Sequence, residues 1–185
     1  MTAQPTPRSP ATGRDLAPGL EALFLEHRER VYRAAYRITG NPMDAEDVLQ
    51  TVFVRLLRRE TSLQPGPGGG AYVTRAAVNA ALDVVRSRQR AGWAPLDEAT
   101  LPPGPGNDRP DREHEQRELA RSLRQALSRL APRAAEMFAL RYFEGLGNRE
   151  IADLLGTSQG VVAVLLHRTR NRLRKQLESS MGVSQ

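Results

Sequence analysis

Residues 148–175 read NREIADLLGTSQGVVAVLLHRTRNRLRK. A short amphipathic segment ends at Gly156, a Ser follows, and a longer apolar segment runs on into a row of cations. Ala152 is small, so two helices can approach closely there. Gly156 can take positive φ at the end of the first helix without the penalty a Cβ would bring. Ser158 can cap the second helix. Ile151, Leu155, Val162 and Leu166 fall where such a pair shares a small core. The order is that of a helix-turn-helix, whose second helix enters the major groove in proteins that read duplex sequence. Helical hairpins of this kind also occur without DNA binding, so the decision rests on the rest of the chain.

Upstream, the apolar positions keep helical spacing. Leu20, Phe24, His27, Val31, Ala34 and Ile38 recur every three or four residues, and His27 on that stripe reads as a packing histidine. Gly40-Asn41-Pro42 ends one helix and starts the next, with Asn41 as cap and Pro42 in the first helical position. The second helix, MDAEDVLQTVFVRLLRR, buries Val48, Val52 and Leu56. Asp44, Glu46 and Asp47 sit at its start and Arg55, Arg58 and Arg59 at its end, as the helix dipole favours. No His or third distant carboxylate accompanies the acids, so they suit a surface that docks a partner better than a metal site.

Residues 60–70, ETSLQPGPGGG, read as a flexible loop. A phosphate-cradling loop would need Gly-Lys-Ser/Thr at the next helix, and Ala71-Tyr72-Val73 stands there instead. The third helix, AYVTRAAVNAALDVVRSRQR, buries Val73, Ala77, Ala80 and Val84. Its other side carries Arg75, Asn79, Asp83, Arg86, Arg88 and Arg90, either a solvated face or a strip that touches a nucleic-acid strand. Residues 93–112 are dense in Pro, Gly and Asp and read as a linker. Helical spacing resumes at Leu119, Leu123, Leu127 and Leu130. Pro132 opens a helix with Met137 and Phe138, and Gly145-Leu146-Gly147 makes the turn into the stretch quoted first.

No segment alternates with period two, so the fold expected is all-α. Two small helical domains are joined by a flexible linker, the second carrying the helix-turn-helix. Their bounds are a disordered tail at 1–19, a first domain at 20–92, an acidic linker at 93–115 and a second domain at 116–180. Charge follows the same division. Residues 20–92 hold eleven Arg against eight acids, the linker two Arg against six acids, and residues 116–185 eleven Arg and one Lys against six acids. Two basic blocks around an acidic connector suggest two modules facing a polyanion. The absence of Cys excludes disulfides, zinc-thiolate sites and thiol nucleophiles. The amino terminus lacks the apolar core of a secretory signal, and VVAVLL is too short to span a bilayer. No nucleophile–base pair, metal cluster or phosphate loop is present, so no enzyme, cofactor or metal is expected.

Taken together, LEALFLEHRERVYRAAYRITGNPMDAEDVLQTVFVRLLRR, AYVTRAAVNAALDVVRSRQR and ALSRLAPRAAEMFALRYFEGLGNREIADLLGTSQGVVAVLLHRTRNRLRKQL resemble the extracytoplasmic-function sigma factors. These are the smallest promoter-recognition subunits of bacterial RNA polymerase, within the sigma-70 family. The resemblance covers both modules in the family's order. It implies a cytoplasmic protein that docks on core polymerase, through the β′ clamp helices and the β flap, and directs initiation from −10 and −35 elements. An anti-sigma partner is implied as well, and membrane insertion is not.

By the resemblance, DAEDVLQ looks like the clamp-docking surface, pointing to Asp44, Asp47, Gln50 and Thr51. The helix from Tyr72 resembles the −10 reader, making Tyr72, Arg75, Asn79, Asp83 and Arg86 candidate contacts to the non-template strand, where captured bases need polar edges and cations for their phosphates. The helix-turn-helix would read −35 duplex through Ser158, Gln159, Ala163, Val164, His167 and Arg168. Arg168, Arg170 and Arg172 would hold phosphates, with Arg141 a further candidate.

Two departures from the family matter. Its second helix usually carries Thr-Val-Lys-Ser-Arg where this chain has Val161-Val162-Ala163-Val164-Leu165. Val and Ala cannot make the bidentate contacts that give about 1–3 kcal/mol of discrimination per base pair, although they can meet thymine methyls. The GPGGG loop also has few side chains for a base pocket. Two other readings stay open: a sigma-like docking protein that has lost −35 reading, and a stand-alone helix-turn-helix regulator that would bind as a dimer.

Overall fold

A computed structural model describes residues 18–58, 67–92 and 110–180 of the chain. The described residues form seven helices and no strand. They are α1 (Pro18–Thr39), α2 (Pro42–Arg58), α3 (Pro67–Arg90), α4 (Pro110–Ser128), α5 (Pro132–Tyr142), α6 (Asn148–Leu155) and α7 (Gln159–Ser180). Helices α1, α2 and α3 pack on one another as a first module, and α4 to α7 gather around α7 as a second. α3 also lies against α4 and α5, so the two modules touch.

The first module is aliphatic. Val31, Ala34, Ala35 and Ile38 of α1 meet Val48, Val52 and Leu56 of α2 and Val73, Ala77, Val78, Ala81 and Leu82 of α3, all buried. The small residues let the helix axes approach, and Phe24 meets Phe53 edge-on. The turn between α1 and α2 is built from local bonds. Gly40 sits at φ +69°, its N–H donating to Tyr36 O. Asn41 Oδ1 accepts the Asp44 N–H at 3.2 Å, capping α2 ahead of Pro42.

α3 begins earlier than its sequence suggests. Its first turn is Pro67-Gly68-Gly69-Gly70, which the loop reading assigned to 60–70. Pro loses nothing in the first position because its N–H would have no helical partner there. A Cβ on Gly70 would lie 3.2 Å from His27 Cε1, so a residue without one lets the start of α3 close on α1. His27 is thereby buried, as a packing histidine. The rest of that loop, the tail before residue 18, and residues 93–109 lie outside the described residues.

In the second module, α4 starts at Pro110, inside the stretch read as linker. Leu127 and Leu130 are buried and Leu123 half-buried, but Leu119 is 44% exposed and leaves the expected stripe. Residues 115–119 are all exposed, so among the described residues nothing covers Leu119. Pro132 opens α5, and its residues 134–140 are buried without a break. Ile151, Ala152, Leu155, Val162 and Leu166 form the core of the α6–α7 pair, and Leu173, farther along α7, is buried beside Leu123 of α4 and Phe138 of α5.

Candidate nucleic-acid interface

The α6–α7 pair is a helix-turn-helix set by its caps. Glu150 accepts the Gly147 N–H at 2.6 Å, tying down the start of α6. Gly156 ends α6 in the left-handed region at φ +61° and ψ +48°, and Thr157 N–H returns to Ala152 O at 2.9 Å. Ser158 Oγ accepts the Val161 N–H at 3.3 Å and caps α7. Its hydroxyl hydrogen stays available to an outside acceptor.

α7 then divides by face. Val162 and Leu166 point inward and Leu165 is half-buried. Gln159, Ala163, Val164, His167 and Arg168 are exposed, and so are Arg170 and Arg172. Val161 and Val164 are 51% and 52% exposed, unusual for large apolar residues with a core a single turn away. His167 Nε2 and Asn171 Nδ2 are 3.0 Å apart across one helical turn. Arg141 lies outside this row and donates to Leu146 O in the turn before α6. Thr169, which the sequence reading passed over, is buried on the inner side.

The face of α3 is arranged differently. Arg75 and Asn79 stand one turn apart and both bond to Glu136 of α5. Arg75 Nε donates to Glu136 Oε1 at 2.7 Å and Asn79 Nδ2 to the same oxygen at 2.9 Å. Arg75 Nη1 also donates to Leu154 O at 3.2 Å. Tyr72 is half-buried, Asp83 is exposed, and Arg86 bonds Asp83 at 3.3 Å with its Nη2 buried and lacking a hydrogen-bond partner among the described residues. Arg88 is held by Asp44. The expectation that Arg75, Asn79, Arg86 and Arg88 lie on an open face is therefore corrected. α3 is the central helix, so Arg75 and Asn79 meet α5 and α6 and Arg88 meets α2, while Arg86 folds back on Asp83 of its own helix.

Glu136 is the residue that sequence reasoning missed. Its signal is a lone acid inside the apolar run AAEMFAL, buried with 6% exposure. A buried carboxylate demands donors, but nothing local names Arg75 and Asn79 as those donors.

On α2, Asp47 and Gln50 are exposed and Thr51 is half-buried, forming a polar surface beside Glu46. Asp44 differs from them. It is buried, bonds Arg88 through Oδ1, and leaves Oδ2 without a hydrogen-bond partner among the described residues. Burial pushes its carboxyl above the usual value, against the pull of Arg88 and with a smaller push from Asp47. Its charge serves the α2–α3 joint. No group of His, Asp or Glu able to hold a metal ion occurs among the described residues. No described helix is long and apolar enough to cross a membrane.

The arrangement is thus two basic helical modules, the second containing a capped helix-turn-helix with an exposed outer row. The description Sigma-70 region 2 matches residues 23–91, and Sigma-70, region 4 matches residues 120–173. The chain is 36% identical over 168 residues to the ECF RNA polymerase sigma factor SigE of Mycolicibacterium smegmatis, covering 90% of this chain and 65% of that protein. It is 32% identical to the RNA polymerase sigma-E factor of Streptomyces coelicolor, with 81% of each chain covered. It is 31% identical to the RNA polymerase sigma factor CarQ of Myxococcus xanthus, covering 85% of this chain and 88% of that one. The chain belongs to the extracytoplasmic-function sigma factors of the sigma-70 family.

Solved structures share the fold. The sigma factor RpoE from Bartonella quintana, in complex with the anti-sigma factor NepR, superposes with a TM-score of 0.53 at 18% identity, over 85% of this chain and 96% of that one. CnrH, in complex with the cytosolic domain of CnrY, superposes with a TM-score of 0.54 at 21% identity, over 86% and 88% of the two chains.

Proposed function

We propose that the chain is a cytoplasmic promoter-recognition subunit that binds core RNA polymerase and directs initiation at −10 and −35 elements. It has no enzymatic role of its own in this reading. The observation that carries it is the outward row of α7, where Gln159, Ala163, Val164, His167 and Arg168 stand exposed on a capped helix-turn-helix. Arg168, Arg170 and Arg172 hold −35 phosphates, and Ser158 can donate to one from the helix N-terminus. Gln159 and His167 supply hydrogen bonds to base edges, and Ala163 and Val164 meet thymine methyls.

On α3, Tyr72, Arg75, Asn79, Asp83 and Arg86 take the −10 strand, Tyr72 offering a ring for stacking and the arginines a phosphate grip. Asp47, Gln50 and Thr51 of α2 meet the β′ clamp helices. Asp44 contributes there by fixing the start of α2 through Arg88. In the second module, Leu123, Phe138, Leu173 and Leu177 line an apolar groove rimmed by Arg170, Arg174 and Glu178. That groove suits an apolar helix and is assigned to the β flap. An anti-sigma partner is proposed as well, by analogy with the Bartonella sigma factor bound to NepR.

Transcription in vitro with purified core polymerase on a genomic promoter library tests the whole reading. Transcripts that depend on the added chain support it, and their absence ends it. Core binding without open complexes would instead favour a docking protein that has lost −35 reading, to which the apolar Val161 and Val164 already point.

A further inference from the structure

The outer row of α7 is short of hydrogen-bonding side chains. Val161, Ala163 and Val164 fill much of its first two turns and are exposed. Hydrogen bonding to base edges is therefore left to Gln159, His167 and Arg168. His167 does not stand alone. Its Nε2 lies 3.0 Å from Nδ2 of Asn171, four residues on and so on the same face of the helix. Asn171 is half-buried between the exposed Arg170 and Arg172.

This contact fixes more than a side-chain position. An amide nitrogen carries two hydrogens and accepts nothing, so Asn171 donates and His167 Nε2 accepts. The imidazole proton then resides on Nδ1, because the bond made by one ring nitrogen sets the state of the other. An unassisted neutral imidazole in water favours the opposite form, with its proton on Nε2. Asn171 therefore reverses the preference of the ring. The polar atom left for an outside partner is a donor, Nδ1–H, and the accepting nitrogen is already used. In a major groove a lone donor discriminates. Guanine offers N7 and O6, adenine N7 and thymine O4, whereas cytosine offers only its own N4 donor. Ala163 and Val164, one turn earlier, can meet a thymine methyl but make no such distinction.

We propose that Asn171 is a positioning residue for −35 recognition, holding His167 as an Nδ1–H donor that rejects cytosine at the base it faces. The inference rests on the assignment of the outer row of α7 to the −35 duplex. It adds to that row a residue that itself touches no base. Neither the neutral ring nor the amide releases a counter-ion on binding. The selectivity they bring is therefore separable from the salt-dependent phosphate grip of Arg168, Arg170 and Arg172.

Two measurements test it. In the free full-length chain, imidazole nitrogen-15 shifts at a pH where the ring is neutral report which nitrogen is protonated. The chain has three histidines, and the signal lost in His167→Ala identifies the right one. The Nδ1–H form is expected in the parent, with a return to mainly Nε2–H in Asn171→Ala. An Nε2–H ring in the parent would overturn the proposal, since the amide would then be turned to accept. So would an Nδ1–H ring that persists in Asn171→Ala. The second measurement gives the holoenzyme a promoter library randomised across the −35 element and sequences the transcripts at two salt concentrations. Asn171→Ala is expected to relax discrimination against cytosine at one position by about fivefold, with the salt dependence of the parent. His167→Ala should relax the same position, and the double variant should add nothing further. If His167→Ala relaxes it and Asn171→Ala does not, the positioning role alone fails. If neither does, His167 reads no base edge, and the −35 assignment of that residue falls together with the proposal.

Discussion

α3 and α7 are both long helices rich in arginine, and they meet the rest of the chain in opposite ways. α3 is packed on α1, α2, α4 and α5, so its polar side chains are engaged by protein. Arg75, Asn79 and Arg88 each bond a carboxylate on another helix. α7 is packed along its inner face only, and among the described residues no ion pair holds Arg168, Arg170 or Arg172. Arginine count therefore says little about availability. A helix in the middle of an assembly has its cations neutralised from within, and one at the edge presents them to solvent.

The strongest way to break this comparison is to damage the support of the exposed face. Ile151 is fully buried between α6 and α7, and Ile151→Ala is expected to destabilise the second module by about 2–5 kcal/mol. Urea unfolding followed with amide exchange checks it. If the module contacts described above couple the two halves, the amides of α3 lose protection along with those of α7.

A smaller loss is expected at the turn. No atom lies within 4 Å of the position a Cβ on Gly156 would take, so Gly156→Ala meets only the backbone strain of φ +61°, about 1–2 kcal/mol. Thermal unfolding measures it, and Gly156→Asn should recover part of the loss because Asn tolerates the left-handed region.

The exposed row gives the next effect. Arg168→Ala should leave stability near the parent and weaken −35 duplex binding by the holoenzyme. The slope of log affinity against log salt should fall by about 1. Unchanged affinity and slope would remove Arg168 from the interface. Val164→Lys sharpens the same point, since a cation there should improve general grip and reduce preference for thymine at its base pair.

The least effect, in the packed region, is on pH dependence. Burial raises the Asp44 carboxyl in the folded chain, so the native state holds its proton more tightly than the unfolded one. That favours folding at acid pH, and the contribution is lost as pH rises from the ordinary carboxylate value through the folded one. The stability of the parent relative to Asp44→Asn should therefore decline over that interval. A difference that grows with pH would mean that the Arg88 pair outweighs burial.

Much of the architecture was legible because it is local. The stripes of α1 and α2, the Asn41 and Ser158 caps and the core of the helix-turn-helix all follow from residues within a few turns of one another. The outward set of α7 was legible for the same reason, since inward Val162 and Leu166 oblige Ala163, Val164 and His167 to face away. The start of α3 was misread because a Gly run signals loop, and only the nearness of His27 makes a helical Gly70 useful.

The sequence by itself determined the all-helical character, the caps at Asn41 and Ser158, and which residues of the α6–α7 pair are inside, but not where α3 and α4 begin. Only the tertiary structure decided which polar side chains are already taken. Arg75 and Glu136 are 61 positions apart, Asn79 and Glu136 57, and Arg88 and Asp44 44. Periodicity reports which face of a helix is turned inward, but it does not reach far enough along the chain to say which distant carboxylate a buried cation will find.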